Sequence, residues 1–134
     1  MPGELTTKEA IKAIDEMYSL GTQAVIFSGG EPLLRKDHVL RLVEHCDDLG
    51  IIPAMLSNGL LMTPETALQL QEAGLKAVGM PIDSVIPEKH DHLRNLSGTF
   101  DRTVQAIKTC LELDLEVVIT TMALKDTYTE MPKR

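Results

Sequence analysis

Apolar positions along the chain recur at two alternating spacings, which predict helices followed by short strands. Residues 11–20, IKAIDEMYSL, carry apolar side chains at helical spacing; Thr6 and Glu9 form a capping-box pattern before them, and Gly21 follows them. This arrangement is typical of a helix that buries one face and ends at a glycine. The apolar run QAVIFS, residues 23–28, then predicts a short buried strand.

The same helix-to-strand unit recurs along the rest of the chain. Asp37 is predicted to cap the second helix, and Thr63 with Pro64 gives the third helix a strong start signal. Asp114 is expected to end the fourth main helix in the left-handed conformation. The remaining predicted elements are helix 38–49, strand 51–57, helix 65–73, strand 75–82, a short helix from about 87 to 94, helix 100–113 and strand 115–123.

The strands are nearly continuous runs of Val, Ile and Leu, which indicates parallel strands covered by helices and joined by right-handed crossovers. The predicted fold class is therefore α/β, with about four helix-strand units. The pattern is compatible with a doubly wound sheet and with part of a (β/α) barrel. Both architectures bind ligands at the carboxyl edge of the strands. The polar sequences 28–31, 57–59 and 83–84 are predicted to lie at that edge.

Composition limits the partners of the protein. The 134 residues carry a formal net charge of −7 with scattered Lys and Arg, which argues against binding to nucleic acid or to an anionic membrane surface. The sequence shows no apolar stretch of membrane-spanning length and no signal-peptide pattern, so a cytoplasmic location is expected. Cys46 and Cys110 are far apart in apolar helical patterns and are expected to be core residues.

The stretch SGGEP, residues 28–32, carries the most distinctive chemistry. Gly29 and Gly30 directly after a strand let a ligand approach the backbone, and their N–H groups can bind a carboxylate. Glu31 prefers a cation, and Pro32 stiffens the turn. Together these preferences predict a zwitterionic, amino-acid-like ligand. A tight loop with an exposed glutamate is the alternative interpretation.

The string SGGEPLLR followed by Asp37 resembles the S-adenosylmethionine-binding motif of the radical SAM superfamily. The resemblance is greatest to the branch that contains molybdenum-cofactor biosynthesis protein A, heme-pathway enzymes and peptide-maturing enzymes, and it implies a partial (β/α) TIM-type barrel. Further blocks that resemble the family, in the family's order, are residues 4–10, Ser57–Asn58–Gly59 with Leu61 and Thr63, Ile82–Asp83–Ser84, residues 88–91 with Arg94, and residues 98–101.

In this family, electron transfer from a [4Fe-4S] cluster cleaves S-adenosylmethionine to a 5'-deoxyadenosyl radical, which abstracts hydrogen from the substrate. The resemblance implies that Gly29 and Gly30 line the methionine carboxylate and that Glu31 contacts the amino group. For Arg94, pairing with a carboxylate and a surface salt bridge at a helix end both stay open. The cofactor-binding residues that the resemblance implies are Ser28, Gly29, Gly30, Glu31, Pro32, Ser57, Asn58, Asp83, Ser84 and Arg94.

Two departures from the family pattern change what is expected of this chain. Pro81 stands where the family has the first serine of its Ser-x-Asp-Ser strand end, which removes a hydroxyl and an N–H. The family's CxxxCxxC loop is also missing, and two distant cysteines do not replace three clustered thiolates. The [4Fe-4S] cluster is therefore expected only in a longer parent protein, and the chain alone is expected to be inactive.

The resemblance implies that residues 1–134 are one partial core domain, covering the second to fifth strands of the barrel and truncated at both ends. Open sheet edges then make a homodimer a hypothesis. Two other hypotheses are a non-catalytic α/β interaction or regulatory module with a relic GGEP loop, and an unrelated barrel enzyme with Glu31 and Asp83 as acid and base. The four histidines are predicted to be solvated: His38, His45, His90 and His92.

Overall fold

The computed structural model describes residues 3–130, which form one four-stranded parallel sheet with helices between the strands. Two 3₁₀ turns, Pro32–Arg35 and Tyr128–Glu130, accompany these elements. The helices and strands are α1 Thr7–Ser19, β1 Ala24–Phe27, α2 Lys36–Asp48, β2 Ile52–Leu56, α3 Pro64–Glu72, β3 Ala77–Pro81, α4 Pro87–Arg94, α5 Thr99–Glu112 and β4 Glu116–Thr120.

Most helix boundaries follow the local signals in the sequence. Thr6 caps α1 through a complete capping box, Thr63 caps α3, and Asp114 has the expected positive φ of 57°. The prediction that Asp37 caps α2 is wrong. The 3₁₀ turn runs directly into α2, so the helix already begins at Lys36 and Asp37 lies inside its first turn.

The strands follow one another across the sheet in the order β1-β2-β3-β4. A doubly wound sheet reverses its strand order at a switch point, and this sheet does not. Right-handed crossovers between successive neighbouring strands place all connecting helices on one face. The architecture is therefore a partial (β/α) barrel, and the α/β class is confirmed. β1 and β4 form the two outer edges, so a homodimer through these edges stays a prediction.

The core lies between the sheet and the helices. Phe27, Met55, Val78 and Val117 align across the four strands and face the helices, where Met55 and Val78 are fully buried. Cys46 and Cys110 are also fully buried, which confirms them as core residues. Strand residues alternate between faces. The opposite face therefore carries side chains that are exposed here, among them Ile26, Leu56 and Val118.

Within residues 3–130, no helix combines the length and the apolar character needed to cross a bilayer.

Gly74 lies just after α3, close to Asp47 of α2. It follows α3 with a φ of +104°, and a Cβ at this position would lie 2.4 Å from Cγ of Asp47. We expect Gly74→Ala to lower the free energy of unfolding by about 2 kcal/mol or more. The alanine adds roughly 1–2 kcal/mol of left-handed backbone strain, and it displaces Asp47 from its 3.0 Å ion pair with Lys76. Urea unfolding measures the loss.

Gly50 provides the matched control because it also follows a helix, with a φ of +75°, but within the described part of the chain no atom lies within 4 Å of its ideal Cβ, chain neighbours aside. We expect Gly50→Ala to carry only the backbone strain, roughly 1 kcal/mol. Equal losses in the two variants would show that the contact with Asp47 adds nothing.

Candidate functional site

A shallow cleft of about 400 Å³ lies where the carboxyl ends of the strands meet. Parallel strands all end at this edge, so loops far apart in the sequence converge there. Six of the ten predicted site residues line the cleft, and Glu31, Pro32, Asp83 and Ser84 do not. Its lining consists of Ser28, Gly29, Gly30, Leu56, Ser57, Asn58, Gly79, Pro81, Arg94 and Thr120.

The two glycines of the motif are exposed beside the cleft. Neither backbone N–H donates to a protein acceptor among residues 3–130. Gly29 has a φ of +96°, which favours glycine on backbone grounds alone. Gly30 lies outside the left-handed region, and its ideal Cβ meets no atom within 4 Å. The described protein therefore has no need of glycine at position 30, whereas a ligand that approaches the backbone would need it.

Glu31 ties the end of β1 to the end of β2. Its Oε1 accepts from the Leu33 N–H at 3.1 Å and from the Ser57 hydroxyl at 2.9 Å, and its Oε2 accepts from the Asn58 N–H at 2.8 Å. A carboxylate offers about four acceptor positions, so room is left for one further donor. The alternative interpretation, an exposed glutamate in a tight loop, is wrong because the carboxylate is bound on both oxygens.

The Ser57–Asn58 segment forms the opposite wall of the cleft. Ser57 is buried, and its Oγ also accepts from the Gly59 N–H at 3.1 Å. The Asn58 carbonyl accepts from Thr103 of α5 at 3.1 Å. Sequence reasoning missed Thr103, which is one of three buried threonines on α5, so its residue type alone gave no distinct signal. The loop after β2 is therefore held from the sheet side by Glu31 and from the helix side by Thr103.

Arg94 reaches the cleft from α4 and pairs with Asp83. The Arg94 Nη2 lies 2.6 Å from Asp83 Oδ2, and Asp83 Oδ1 accepts from the Met122 N–H at 3.0 Å. Asp83 is only 3% exposed, so it does not face the cleft itself. A guanidinium has five N–H donors in a rigid plane. Arg94 thus keeps further donors beyond the Asp83 contact while it lines the cleft.

Ser84, one of the predicted cofactor contacts, is not among the residues that line the cleft. Its hydroxyl donates to Glu130 Oε2 at 2.5 Å and accepts from the Ile86 N–H at 3.0 Å. Lys89 binds the other oxygen of Glu130 at 2.6 Å. Hydrogen bonds from Lys89 and then from Ser84 lower the pKa of Glu130. Ser84 therefore joins the loop after β3 to the last 3₁₀ turn.

His90 is buried, 1% exposed, so the prediction that it is solvated is wrong. The sequence around it is highly charged, but α4 packs against α5 and covers this side chain. Its Nδ1 accepts from the Asp83 N–H at 3.1 Å, and its ring meets Phe100 edge-to-face at 5.6 Å. Burial lowers the pKa of His90. His92, two residues further along α4, is exposed as predicted.

The two histidines of α2 connect that helix to α1. His38 Nδ1 lies 2.8 Å from Thr7 Oγ1, and His45 Nε2 lies 2.7 Å from Asp15 Oδ1. Both rings are half-buried and bonded, whereas the sequence predicted solvated positions. Burial and the neighbouring Arg35 lower the pKa of His38.

Asp91 caps α5 from a different helix. Gly98, which precedes α5, has no side chain to cap it; the Asp91 carboxylate instead accepts from the N–H groups of Gly98 and Phe100, at 2.5 and 2.8 Å, and from the Thr99 hydroxyl at 2.8 Å. The Phe100 N–H is the main cause of the lowered pKa of Asp91. Within the block of residues 88–91 and Arg94 that resembles the family, Asp91 and Arg94 thus bind other residues of the same chain.

The lowered pKa of Asp91 has a consequence for acid stability. The pKa of Asp91 in the folded chain lies below its usual value of 3.8. The ionised carboxylate therefore stabilises the fold fully above pH 3.8, and this stabilisation is lost as pH falls from 3.8 toward the folded pKa. Asparagine keeps a capping oxygen but does not titrate. We expect Asp91→Asn to be less stable than the wild type near neutral pH, because its amide nitrogen cannot accept from the Gly98 N–H, and to show a shallower loss of the thermal midpoint below about pH 4. An Asp91→Asn chain that loses its thermal midpoint as steeply as the wild type would show that this carboxylate does not carry the acid dependence.

A second depression, of about 750 Å³, lies between the start of α1, the end of β1 and the start of α2. It shares residues 28–30 with the cleft and also touches Glu31 and Pro32. Most of its remaining lining is apolar, including Leu5, Ile26 and Val39. The glycine loop therefore stands between two depressions.

The described residues do not fit an iron-sulfur cluster. Among residues 3–130, no group of three or more His, Cys, Asp or Glu side chains is placed to hold a metal ion. Burial raises the pKa of both Cys46 and Cys110 to about 11, so both thiols stay protonated at neutral pH. Iron-sulfur clusters are held by thiolates.

Comparison with known proteins assigns a family to this chain. The family described as "Radical SAM superfamily" matches residues 1–133. An AdoMet-dependent heme synthase of Methanosarcina barkeri is 38% identical over 131 residues, covering 98% of this chain and 37% of that protein. A PqqA peptide cyclase of Bradyrhizobium diazoefficiens is 30% identical, covering 96% and 34%. A GTP 3',8-cyclase of Clostridium perfringens is 29% identical, covering 91% and 38%.

The fold is also shared with a solved structure. A domain of pyruvate-formate lyase-activating enzyme from Bacteroides vulgatus superposes with a TM-score of 0.67 at 21% identity, covering 80% of this chain and 63% of that one. The chain spans 34–38% of the length of the three curated relatives.

Proposed function

Because the chain belongs to the radical SAM superfamily, whose members use S-adenosylmethionine and a [4Fe-4S] cluster, we propose that its cleft binds S-adenosylmethionine. Membership in this family rules out the hypothesis of an unrelated barrel enzyme with Glu31 and Asp83 as acid and base. The observation that carries the proposal is the glycine loop: two N–H groups that bind no acceptor among residues 3–130, with glycine at position 30, where none of these residues requires it.

The zwitterionic end of the cofactor fits the charges around this loop. The N–H groups of Gly29 and Gly30 receive the methionine carboxylate, and Arg94 supports it from the other side of the cleft. The ammonium lies toward Glu31, whose carboxylate keeps one acceptor position. Ser57 and Asn58 form the facing wall. Asp83 holds the Arg94 guanidinium in place, and Ser84 fixes the loop after β3 through its bond to Glu130.

The chain contributes cofactor binding to a larger reaction. When bound together, the cluster and the cofactor supply a 5'-deoxyadenosyl radical. Both cysteines of this sequence are buried core residues. In our proposal the cluster is therefore held by residues that this sequence does not contain, and the chain alone binds the cofactor without cleaving it.

The test is a titration of the chain with S-adenosylmethionine, followed by the backbone amide signals in NMR spectra. We expect the signals of Gly29 and Gly30 to shift. The signals of Gly50 and Gly74, which precede β2 and β3 at the amino-terminal edge of the sheet, should not shift. L-methionine should compete weakly, and 5'-methylthioadenosine, which lacks the amino-acid end, should leave the two glycines unmoved. Unmoved glycine signals at millimolar cofactor would contradict the proposal.

A non-catalytic module with a relic loop is the second candidate. The observation that favours it is Glu31, whose bonds to Leu33, Ser57 and Asn58 are those of a purely structural loop. This candidate predicts that neither S-adenosylmethionine nor L-methionine moves any signal at the carboxyl edge.

A further inference from the structure

We propose that His90 is a positioning residue for the cleft: it holds the backbone of Asp83, and Asp83 in turn holds the guanidinium of Arg94. This inference deepens the proposed function and rests on it, because it concerns the same cleft. It assigns a functional consequence to a buried histidine that does not itself touch the cleft.

Three contacts connect His90 to the cleft. The His90 Nδ1 accepts from the Asp83 N–H at 3.1 Å, and the Asp83 Oδ2 lies 2.6 Å from Arg94 Nη2. Arg94 then lines the cleft with Gly29 and Gly30. His90 and Arg94 are four residues apart in α4 and lie on one side of it. A single residue, Asp83, is thus fixed to α4 through both its backbone and its side chain.

An apolar residue of similar volume would not replace His90. Leucine would fill the space beside Phe100 but leave the buried Asp83 N–H without an acceptor, and an unpaired buried donor is destabilising. The loop would then move to find another acceptor, and the carboxylate of Asp83 would move with it. Because Nδ1 accepts a hydrogen bond in this contact, the ring must be neutral with its proton on Nε2.

Protonation of His90 would remove the acceptor and place two N–H groups against each other. The charged groups that face the ring are Asp83, in the loop after β3, and Asp91 and Arg94, on α4; the facing residue of α5 is the uncharged Phe100. Burial outweighs the two carboxylates, so the folded pKa lies below the usual 6.5. The contact is therefore complete above pH 6.5, and the stability it gives is lost as pH falls from there toward the folded pKa.

The experiment compares two substitutions in the full 134-residue chain. His90→Asn keeps an acceptor, Oδ1, near the position of Nδ1 but does not titrate, whereas His90→Leu removes the acceptor. NMR without ligand follows the Asp83 amide and the Arg94 Nε–H. We expect both signals to be conserved in the asparagine variant and shifted in the leucine variant. S-adenosylmethionine should bind about fivefold more weakly to His90→Leu, and His90→Asn should restore the affinity.

The wild-type chain gives a second measurement that needs no variant. Between about pH 7.5 and pH 5 its Asp83 and Arg94 signals should move together with the His90 ring signals, and its cofactor affinity should fall, since protonation acts like the leucine substitution. The affinity of His90→Asn should change less over the same range. This measurement keeps the inference testable even if the leucine variant does not fold.

The outcomes separate the inference from the proposed function. Arg94 signals that stay fixed while His90 titrates, in a chain that binds S-adenosylmethionine, would overturn the inference alone. Equal affinities of the wild type and His90→Leu would overturn it as well. Arg94 signals that follow His90 in a chain that does not bind the cofactor would overturn the proposed function and leave the coupling between His90 and Arg94 standing.

Discussion

Replacing Glu31 by alanine is expected to lower the free energy of unfolding by about 3 kcal/mol, at roughly 1 kcal/mol or more for each hydrogen bond lost. The substitution removes the acceptor of three donors, the N–H groups of Leu33 and Asn58 and the hydroxyl of Ser57. It also removes the side-chain bonds that join the loop after β1 to the loop after β2, at the edge where the cleft forms. Urea unfolding, followed by circular dichroism, measures the change.

Two further variants show whether the loss comes from these bonds. Glu31→Gln keeps one acceptor oxygen and should lose about half as much stability, since the amide nitrogen cannot accept from Asn58. Glu44→Ala removes an exposed glutamate from α2 and should change stability by less than about 0.5 kcal/mol. A Glu31→Ala variant as stable as Glu44→Ala would show that the bonds of Glu31 contribute nothing to the fold.

This result also changes how ligand binding is tested. A loss of S-adenosylmethionine binding in Glu31→Ala has two possible causes: the missing carboxylate, and the displaced loops after β1 and β2. The variant therefore does not distinguish a direct contact of Glu31 with the cofactor from its role in holding the two loops together. A substitution that adds an obstacle without removing a protein contact is needed, and Gly30 is the position that allows it.

The fold was predictable from the sequence where local signals act alone. The capping box at Thr6 and Glu9, and the span of α4 from Pro87 to Arg94, depend only on neighbouring residues. Asp37 failed as a cap because Pro32 starts a 3₁₀ turn that carries the chain into α2 one residue before Asp37. Strand order depends on contacts far apart in the sequence, so the pattern left two architectures open.

For the candidate site, the sequence predicted which residues meet at one sheet edge but not the contacts among them. Parallel strands bring Gly29, Gly30, Ser57 and Asn58 to one edge, and the pattern is enough to foresee this. The partners of Glu31 lie up to 27 residues away in the sequence. Ser57 and Asn58 donate to carboxylate oxygens of Glu31 that were predicted to bind the ligand's amino group. His90 was misjudged because the sequence around it is charged, while the packing of α4 on α5 decides its burial.

Gly30→Ala is expected to weaken the binding of S-adenosylmethionine at least tenfold, about 1.4 kcal/mol of binding free energy, without loss of stability. Apart from its chain neighbours, the added methyl group meets no atom of the described residues within 4 Å, and φ is not strained, so the methyl group enters the space proposed for the ligand. The unfolding free energy should stay within about 0.5 kcal/mol of the wild type. Equilibrium dialysis and urea unfolding measure the two quantities on the same samples.

Gly50→Ala should show the opposite combination, because Gly50 has a φ of +75° and lies at the amino-terminal side of β2, away from the carboxyl edge. It should lose roughly 1 kcal/mol of stability from backbone strain and keep the wild-type affinity. The pair therefore separates a glycine required by the backbone from a glycine required by a ligand. A Gly30→Ala chain that binds S-adenosylmethionine as tightly as the wild type would contradict the placement of the methionine carboxylate at this loop, since the methyl group would then occupy space the cofactor does not use.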